Sequence, residues 1–454
     1  MKKLLLNIYL INIIINIIIS DKLLKIPFKL YDTSHFFVEK PDIILNKYMS
    51  LLVIEVSIGT PYQKFNISLD INDNFYSGFL ASNLPNINFS SLYNKSISST
   101  YKLEKANIFL PIEMFGKAEV FSDNVNFLNN GKNIEKNLKF LLIDNLIKNI
   151  YTPGFIGLAL KNDNRQLDEN SFLYQLKKIG MIKNEIFYFN FENENFGEFI
   201  MGEDLFNNEN FLKIKVGYIS QISSKLLWSF NFDEIYYGNS INLGKGDGVF
   251  GLNYGLTIGP NNYEQVIKST FAKEKDCYFN YTKIGNLEFK YYYCEKYIDI
   301  EDQIQNLTFV LKSSNFNFSF TGHDLFFEEN NKKFFKIIFL FDTNEQYWYL
   351  GHHFLQKYKI RFDHERKLLY IPLREYQENN NDDKIDEESN ILNLIKKWQF
   401  WLCIFLFFVI IGLIIFIIIY IKNYPKKKKV YELNDTDDYY IYNKKESLEE
   451  NNIN

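Results

Sequence analysis

Along most of the chain apolar and polar residues alternate one by one. In the stretch 64–70, Phe65, Ile67 and Leu69 share one face, and Asn66, Ser68 and Asp70 share the other. That two-residue period predicts a half-buried β-strand. Similar runs predict strands over 51–58, 186–191, 198–201, 230–236 and 367–372. Helical periodicity is scarce, and the segments 171–179 and 262–271 are those whose apolar spacing predicts short helices. The expected architecture is mostly β with a few short helices.

Both ends break the pattern. Residues 1–20 carry Lys2 and Lys3 and then an apolar run, interrupted by Asn7, Asn12 and Asn16, that ends at Ser20. This predicts a secretory signal peptide cleaved after Ser20. Residues 398–421 form an uncharged stretch opened by Trp398 and Trp401 and closed by Tyr420 and Ile421. It is long enough to cross a hydrocarbon core of ~30 Å. Lys422 and Lys426, Lys427, Lys428 and Lys429 follow directly, as the positive-inside rule asks of a cytoplasmic flank. The expectation is a single-pass type I membrane protein with its ectodomain lumenal or extracellular, in the secretory pathway or at the cell surface. Between ectodomain and span, residues 376–397 are polar and acidic (Asn379, Asn380, Asn381, Asp382, Asp383, Glu387, Glu388), which predicts a solvated stalk. Residues 422–454 form a tail, first basic and then acidic, without apolar periodicity.

Composition narrows the function classes. With 51 Lys and Arg against 55 Asp and Glu, the chain has a net charge of −4 and no excess of cations to neutralise phosphates, which argues against a nucleic-acid binder. Apolar residues at 46% and aromatics at 18% exclude disorder for the bulk of the chain. Only 3 Cys exclude a disulfide-dense scaffold. The ectodomain is too long for one ordinary core and suits two lobes of ~150–200 residues, here 48–205 and 206–375. Residues 21–47 precede them as either a prosegment or an N-terminal strand.

Within the ectodomain a series of motifs runs in order. It opens with Ile58-Gly59-Thr60-Pro61-Tyr62-Gln63 after a strand, then Leu69-Asp70, then Ser98-Ser99-Thr100-Tyr101. Phe155-Ile156-Gly157-Leu158-Ala159 and Gly197-Glu198-Phe199-Ile200-Met201-Gly202 follow. Trp228-Ser229-Phe230 with Ile235 comes next, then Leu256-Thr257-Ile258-Gly259-Pro260. The series closes with Trp348-Tyr349-Leu350-Gly351, Phe354-Leu355, Tyr358 and Phe362-Asp363. Each motif is weak alone, but together and in this order they resemble the pepsin-like aspartic proteases, including the membrane-anchored plasmepsin and beta-secretase types, over residues 48–373. Leu24-Lys25-Ile26-Pro27-Phe28 also resembles the start of a pepsin-type prosegment, with an ordinary first strand as the equal alternative.

The resemblance implies a bilobal β fold and a dyad of carboxylates, one from each lobe. Two such groups share one proton, because like charges so close cannot both ionise. One activates water while the other polarises the scissile carbonyl. Asp70 stands at the first position. Counting back from Gly259-Pro260, the second position falls on Gly251. Asp247 lies four residues too early. Asp342-Thr343-Asn344 imitates the family's D-T-G triplet, but stands where the family has a surface loop.

The two loops have changed in parallel. Ile71 and Leu252 replace the family's threonines, and Asn72 and Asn253 replace its glycines. The apolar pair is expected to fill the inter-lobe region dry. Asn is expected to keep the turn by accepting positive φ. The flap segment, with Pro111, Ile112 and Gly116, lacks the family's Tyr-Gly tip. A fold kept without its reaction is the expectation, with a cleft that binds a peptide or protein. The alternatives are an active divergent aspartic endopeptidase, with Asp73 or Asp247 as second acid, and a surface receptor with a vestigial cleft.

Remaining signals are smaller. Cys277 and Cys294 in an oxidising compartment predict a disulfide. Glycosylation sequons at Asn88, Asn94, Asn280, Asn306 and Asn317 are candidates, whereas Asn66, within a predicted strand, is set aside. No metal is expected, since His352 and His353 are adjacent and would point to opposite faces of a strand. No cofactor is expected either. Gly244-Lys245-Gly246-Asp247-Gly248 is expected to be a hairpin connection rather than a phosphate loop.

Overall fold

The computed structural model describes residues 23–373 apart from 37–41, 73–75, 83, 85–91, 109–117, 130, 145–150, 161–169, 204, 206–209, 218–226, 285–286 and 341–346. The expected signal peptide, stalk, membrane span and tail lie outside the described residues, as do Asp73, Asn88, Pro111, Ile112, Gly116 and Asp342. Among the described residues, no helix is long and apolar enough to cross a membrane.

The first part of the chain supplies β1 (Leu24–Asp32), helix α1 (Ile43–Tyr48), β2 (Ser50–Ile58), β3 (Gln63–Asp70) and β4 (Gly78–Leu80). Then come β5 (Lys102–Ile108), β6 (Ala118–Asn129), β7 (Lys132–Ile143), β8 (Gly154–Gly157), α2 (Phe172–Lys178), β9 (Ile186–Phe191) and β10 (Phe196–Met201). The second part begins with β11 (Phe211–Lys215), β12 (Ser229–Tyr237), β13 (Ile241–Phe250), β14 (Thr257–Gly259) and α3 (Asn261–Phe271). It continues through β15 (Cys277–Ile284), β16 (Leu287–Glu295), β17 (Leu307–Leu311), β18 (Phe316–Phe320) and β19 (Phe326–Glu329). Last are β20 (Lys332–Phe335), β21 (Ile337–Leu340), β22 (Tyr347–Leu350), α4 (His352–Tyr358), β23 (Arg361–Asp363) and β24 (Leu368–Pro372).

The strands form two sheets. One runs β11-β24-β23-β9-β10-β1-β2-β3-β8-β4-β7-β6-β5, and the other runs β18-β17-β12-β13-β22-β14-β21-β16-β20-β19 with β15 attached to β16. Strands β23 and β24 thus return to the first lobe's sheet, pairing Phe362 with Phe187. Those two rings stack at 5.0 Å, and Trp228 of the second lobe packs edge-on against Phe362 at 5.1 Å. The Trp228 indole N–H donates to the Leu158 carbonyl at 2.9 Å, tying the lobes by a buried bond.

Helix starts agree with their side chains. Ser171 caps α2 by accepting from the Tyr174 N–H, and Asp42 caps α1 by accepting from the Leu45 N–H at 2.7 Å, each satisfying an otherwise unpaired donor. From α1, Ile44, Leu45 and Tyr48 are buried in a cluster with Leu256, Ile258, Phe289 and Phe334 of the second lobe.

Three local expectations need correction. Ser68 and Asp70 are buried rather than outward, with the Thr152 hydroxyl donating to Ser68 Oγ. His352 and His353 open helix α4 instead of lying on a strand, and both are buried. The glycine-rich stretch is part of β13, not a connection. A Cβ at Gly248 would lie 2.7 Å from the Phe232 ring, and one at Gly246 would lie 2.6 Å from Ile235, so these glycines admit the side chains of the neighbouring strand.

Residues 24–32 sit between β10 and β2 and pair with both. Deleting them would leave both neighbours with unpaired edges and vacate the space of Leu24, Ile26 and Phe28, all buried. The expected outcome is loss of the cooperative thermal transition. A deletion variant that melts like the full chain would show that β1 is dispensable.

Candidate functional site

Two loops of like construction occupy corresponding places in the two lobes. In the first, β3 runs parallel to β8 with Leu69 opposite Ile156 and Asp70 opposite Gly157. In the second, β13 runs parallel to β22 with Val249 opposite Tyr349 and Phe250 opposite Leu350. One step further sets Gly251 against Gly351, as Asp70 is set against Gly157. Each loop then returns as a short strand between a parallel and an antiparallel neighbour: β4 with β7 and β8, β14 with β21 and β22. Hydroxyls repeat the correspondence. Gly157 N–H donates to Ser77 Oγ at 3.1 Å, and Gly351 N–H donates to Thr257 Oγ1 at 3.0 Å. Register and hydrogen bonding thus set Gly251 and Asp70 at like places in the two loops.

Asp70 is buried, with 6% of its surface exposed. Its carboxylate accepts the Asn72 N–H at 2.9 Å, and its carbonyl accepts the Leu158 N–H at 2.6 Å. A chain of bonds leads from there to the other loop. The Leu158 carbonyl takes the Trp228 indole, and the Trp228 carbonyl takes the Phe250 N–H at 2.9 Å. Gly251 N–H in turn donates to the Leu350 carbonyl at 3.1 Å. Ile71 and Leu252 are each 1% exposed and belong to one continuous core cluster, as expected of a dry replacement for two polar groups.

The asparagines do not do what was expected. Among described non-glycine residues positive φ occurs at Asn315, Asn330, Asn331, Lys359 and Lys367, not at Asn72 or Asn253. In the second loop the Tyr254 N–H closes a four-residue turn on the Gly251 carbonyl at 3.4 Å. A turn of type I keeps both central residues at negative φ, so it asks for no glycine.

Tyr254 is the side chain that changes the site most. A Cβ built on Gly251 would lie 2.5 Å from Tyr254 Cδ2 and 3.0 Å from Cε2. A side chain at Gly251 would thus begin where an aromatic ring stands. That ring is held by others: Tyr48 of α1 stacks on it at 5.0 Å with 10° between planes, and Tyr349 meets it edge-on at 6.4 Å. Pairs of this kind contribute about 0.5–1.5 kcal/mol each beyond the area they bury. Burial, and then the neighbouring Tyr254, push the Tyr48 phenol well above its ordinary range. Nothing in the motif pattern marked Tyr48 or Tyr254, since both roles depend on a contact between distant segments.

Beneath the same loop lie two buried histidines. His352 Nε2 donates to the Leu252 carbonyl at 2.8 Å, and His353 Nε2 bonds Thr257 Oγ1 at 3.3 Å, so α4 grips the loop at both ends. Burial pushes His352 down to about 4. Burial, with Lys336 and His352 nearby, pushes His353 down to about 3.

Other sequence candidates fall elsewhere. Asp247 lies four residues back along β13, roughly 13 Å at the usual strand rise, and bonds Asn231 across the sheet. Cys277 and Cys294 face each other in the β15–β16 register and form a disulfide, with their Cα atoms 4.0 Å apart. Asn280, Asn306 and Asn317 are exposed, and Asn94 is half-buried.

Two predictions follow from these contacts. Gly251→Ala should cost about 1–3 kcal/mol by overpacking, and Tyr254→Ala in the same chain should remove most of that penalty. Denaturant melts of the two single variants and the double variant measure the coupling; additive effects would show that ring and glycine are independent. Acid should also destabilise the fold. The unfolded histidines take up protons near 6.5, whereas the folded ones resist until about 4 and 3. Unfolding therefore binds protons between those values, and stability falls as pH drops below about 6.5, by at most about 1.4 kcal/mol per pH unit for each histidine. Thermal melts from pH 7 to 4 check this, with a shallower slope expected for His353→Gln.

Comparison with known families adds an independent view. A model of the eukaryotic aspartyl protease family matches residues 52–371. No curated protein matches the chain. The matched span takes in both loops and both sheets of a mostly-β, bilobal, pepsin-like fold, and this chain belongs to the eukaryotic aspartyl protease family.

Proposed function

We propose that the chain is a membrane-anchored, catalytically silent member of its family, whose inter-lobe cleft holds a peptide or protein without cutting it. One observation carries the reading. The counterpart of Asp70 is Gly251, and the space beside it is filled by Tyr254. Hydrolysis by this family needs one ionised and one protonated carboxyl at once, and a single acid cannot be both. Asp247 is engaged with Asn231 a few residues upstream, which weakens it as a substitute.

The burial of two neutral histidines under the second loop supports the same reading, since acid, where a proton-sharing dyad operates, would loosen their grip. Membrane anchoring rests on the uncharged stretch 398–421 and its lysine flank, and entry to the secretory route rests on residues 1–20. Ligand capture rests on the retained scaffold, with Asp70 still buried at its loop.

The test uses the full chain in detergent with peptide libraries between pH 3 and pH 7. The expected result is no cleavage together with recoverable, cross-linkable peptide. Cleavage that disappears both with pepstatin and in the Asp70→Ala variant would establish an active protease instead. Peptide capture unchanged when the cleft is closed by Gly251→Trp would favour an exterior receptor surface.

A further inference from the structure

Away from the two loops, a groove of about 490 Å³ opens on the outer face of the first lobe. That size falls within the range of ligand pockets, ~300–1,000 Å³. It lies where β1 and β2 diverge, since β1 pairs with β2 only from Phe28 onward while β2 turns to pair with β6 from Val56. Pro27, Tyr62 and Leu128 give it apolar surface, and Glu55, Lys64, Asn126 and Asn133 give it polar groups.

Among the polar groups, Asn126 Oδ1 is buried and has no hydrogen-bond partner among the described residues. A buried acceptor without a donor is costly. The groove therefore calls for a ligand with hydroxyl or amide donors and a face that can lie on an exposed tyrosine ring, and Tyr62 is 43% exposed. A neutral saccharide has both.

One such ligand is within reach of the chain itself. Asn66-Ile67-Ser68 is an N-x-S acceptor, and Asn66 is exposed on the outer face of β3. Its cross-strand partner is Glu55, and Lys64 stands two residues away on the same face. Both line the groove. Directly opposite residues have Cβ atoms about 5 Å apart, so a first sugar on Asn66 begins at the groove's rim. Lying within a strand counted against Asn66 in the sequence, but the strand turns this residue outward.

We infer that Asn66 is N-glycosylated and that its proximal sugars pack into the groove over Tyr62, within reach of Asn126. In the transfer, the Asn66 amide nitrogen bonds to C1 of a lipid-diphosphate-linked oligosaccharide and loses one proton. The C1–O bond to phosphate breaks, and the lipid diphosphate leaves. The inference rests on the proposed secretory route.

The test is to express the full chain with its own N-terminus in eukaryotic cells and map the sequons by peptide mass spectrometry. Glycan release from Asn66 by endoglycosidase is then timed on native and on denatured protein. Asn66 is expected to be occupied, with release at least tenfold slower from the native protein and most of that protection lost in Tyr62→Ala. Equal rates in the two states, or a Tyr62→Ala variant protected like the parent, would overturn the packing. An empty Asn66 beside an occupied Asn306 or Asn317 would sink the inference alone. Sequons empty throughout would sink the secretory route with it.

Discussion

The contact between the Tyr254 ring and the Cα of Gly251 governs the interpretation of the whole site. Glycine alone would leave a gap that a longer acid could refill. Here a ring stands 2.5 Å from where a Cβ would be, and it is stacked on Tyr48, which α1 brings from before the first lobe. Restoring an acid would mean moving an aromatic layer and the helix that supports it. Packing thus supports the proposed reading of a silent site, beside the one position of the sequence.

Around that contact the scaffold is intact. Parallel registers, glycine N–H groups donating to Ser77 and Thr257, and the Leu158–Trp228–Phe250 chain hold both loops in corresponding positions. Those bonds are buried, where an unmade partner is costly. They explain how the architecture can persist while the residues that face the cleft change. The histidines of α4 belong to the same support, and their preference for neutrality ties it to mild pH.

Much of this was legible from the sequence, because period-two patterning and the ordered motifs are local signals. Strand 186–191 and the helix within 171–179 came out as expected, as did the disulfide between Cys277 and Cys294. Counting back from Gly259-Pro260 put the expected second position at Gly251. What escaped depends on tertiary neighbours. Ser68 and Asp70 look outward by alternation, yet tertiary packing buries both. The asparagine turns were expected to mimic glycine, but the turn closed by Tyr254 does not need positive φ. Tyr254 itself carries no motif, and the His352-His353 pair becomes meaningful only once α4 lies under the loop.

The central proposal is that Gly251 stands in place of the acid that would share a proton with Asp70, and the titration of Asp70 tests that most directly. Two acids that share a proton titrate in two coupled steps that belong to the pair, whereas a lone acid titrates in one. Carbon-13 NMR of the full chain with labelled aspartate, assigned through Asp70→Asn, follows that carboxyl from pH 7 down to the acid limit of folding. The account predicts a single-step curve. A biphasic curve that becomes single-step when another acidic residue is replaced by its amide would contradict it.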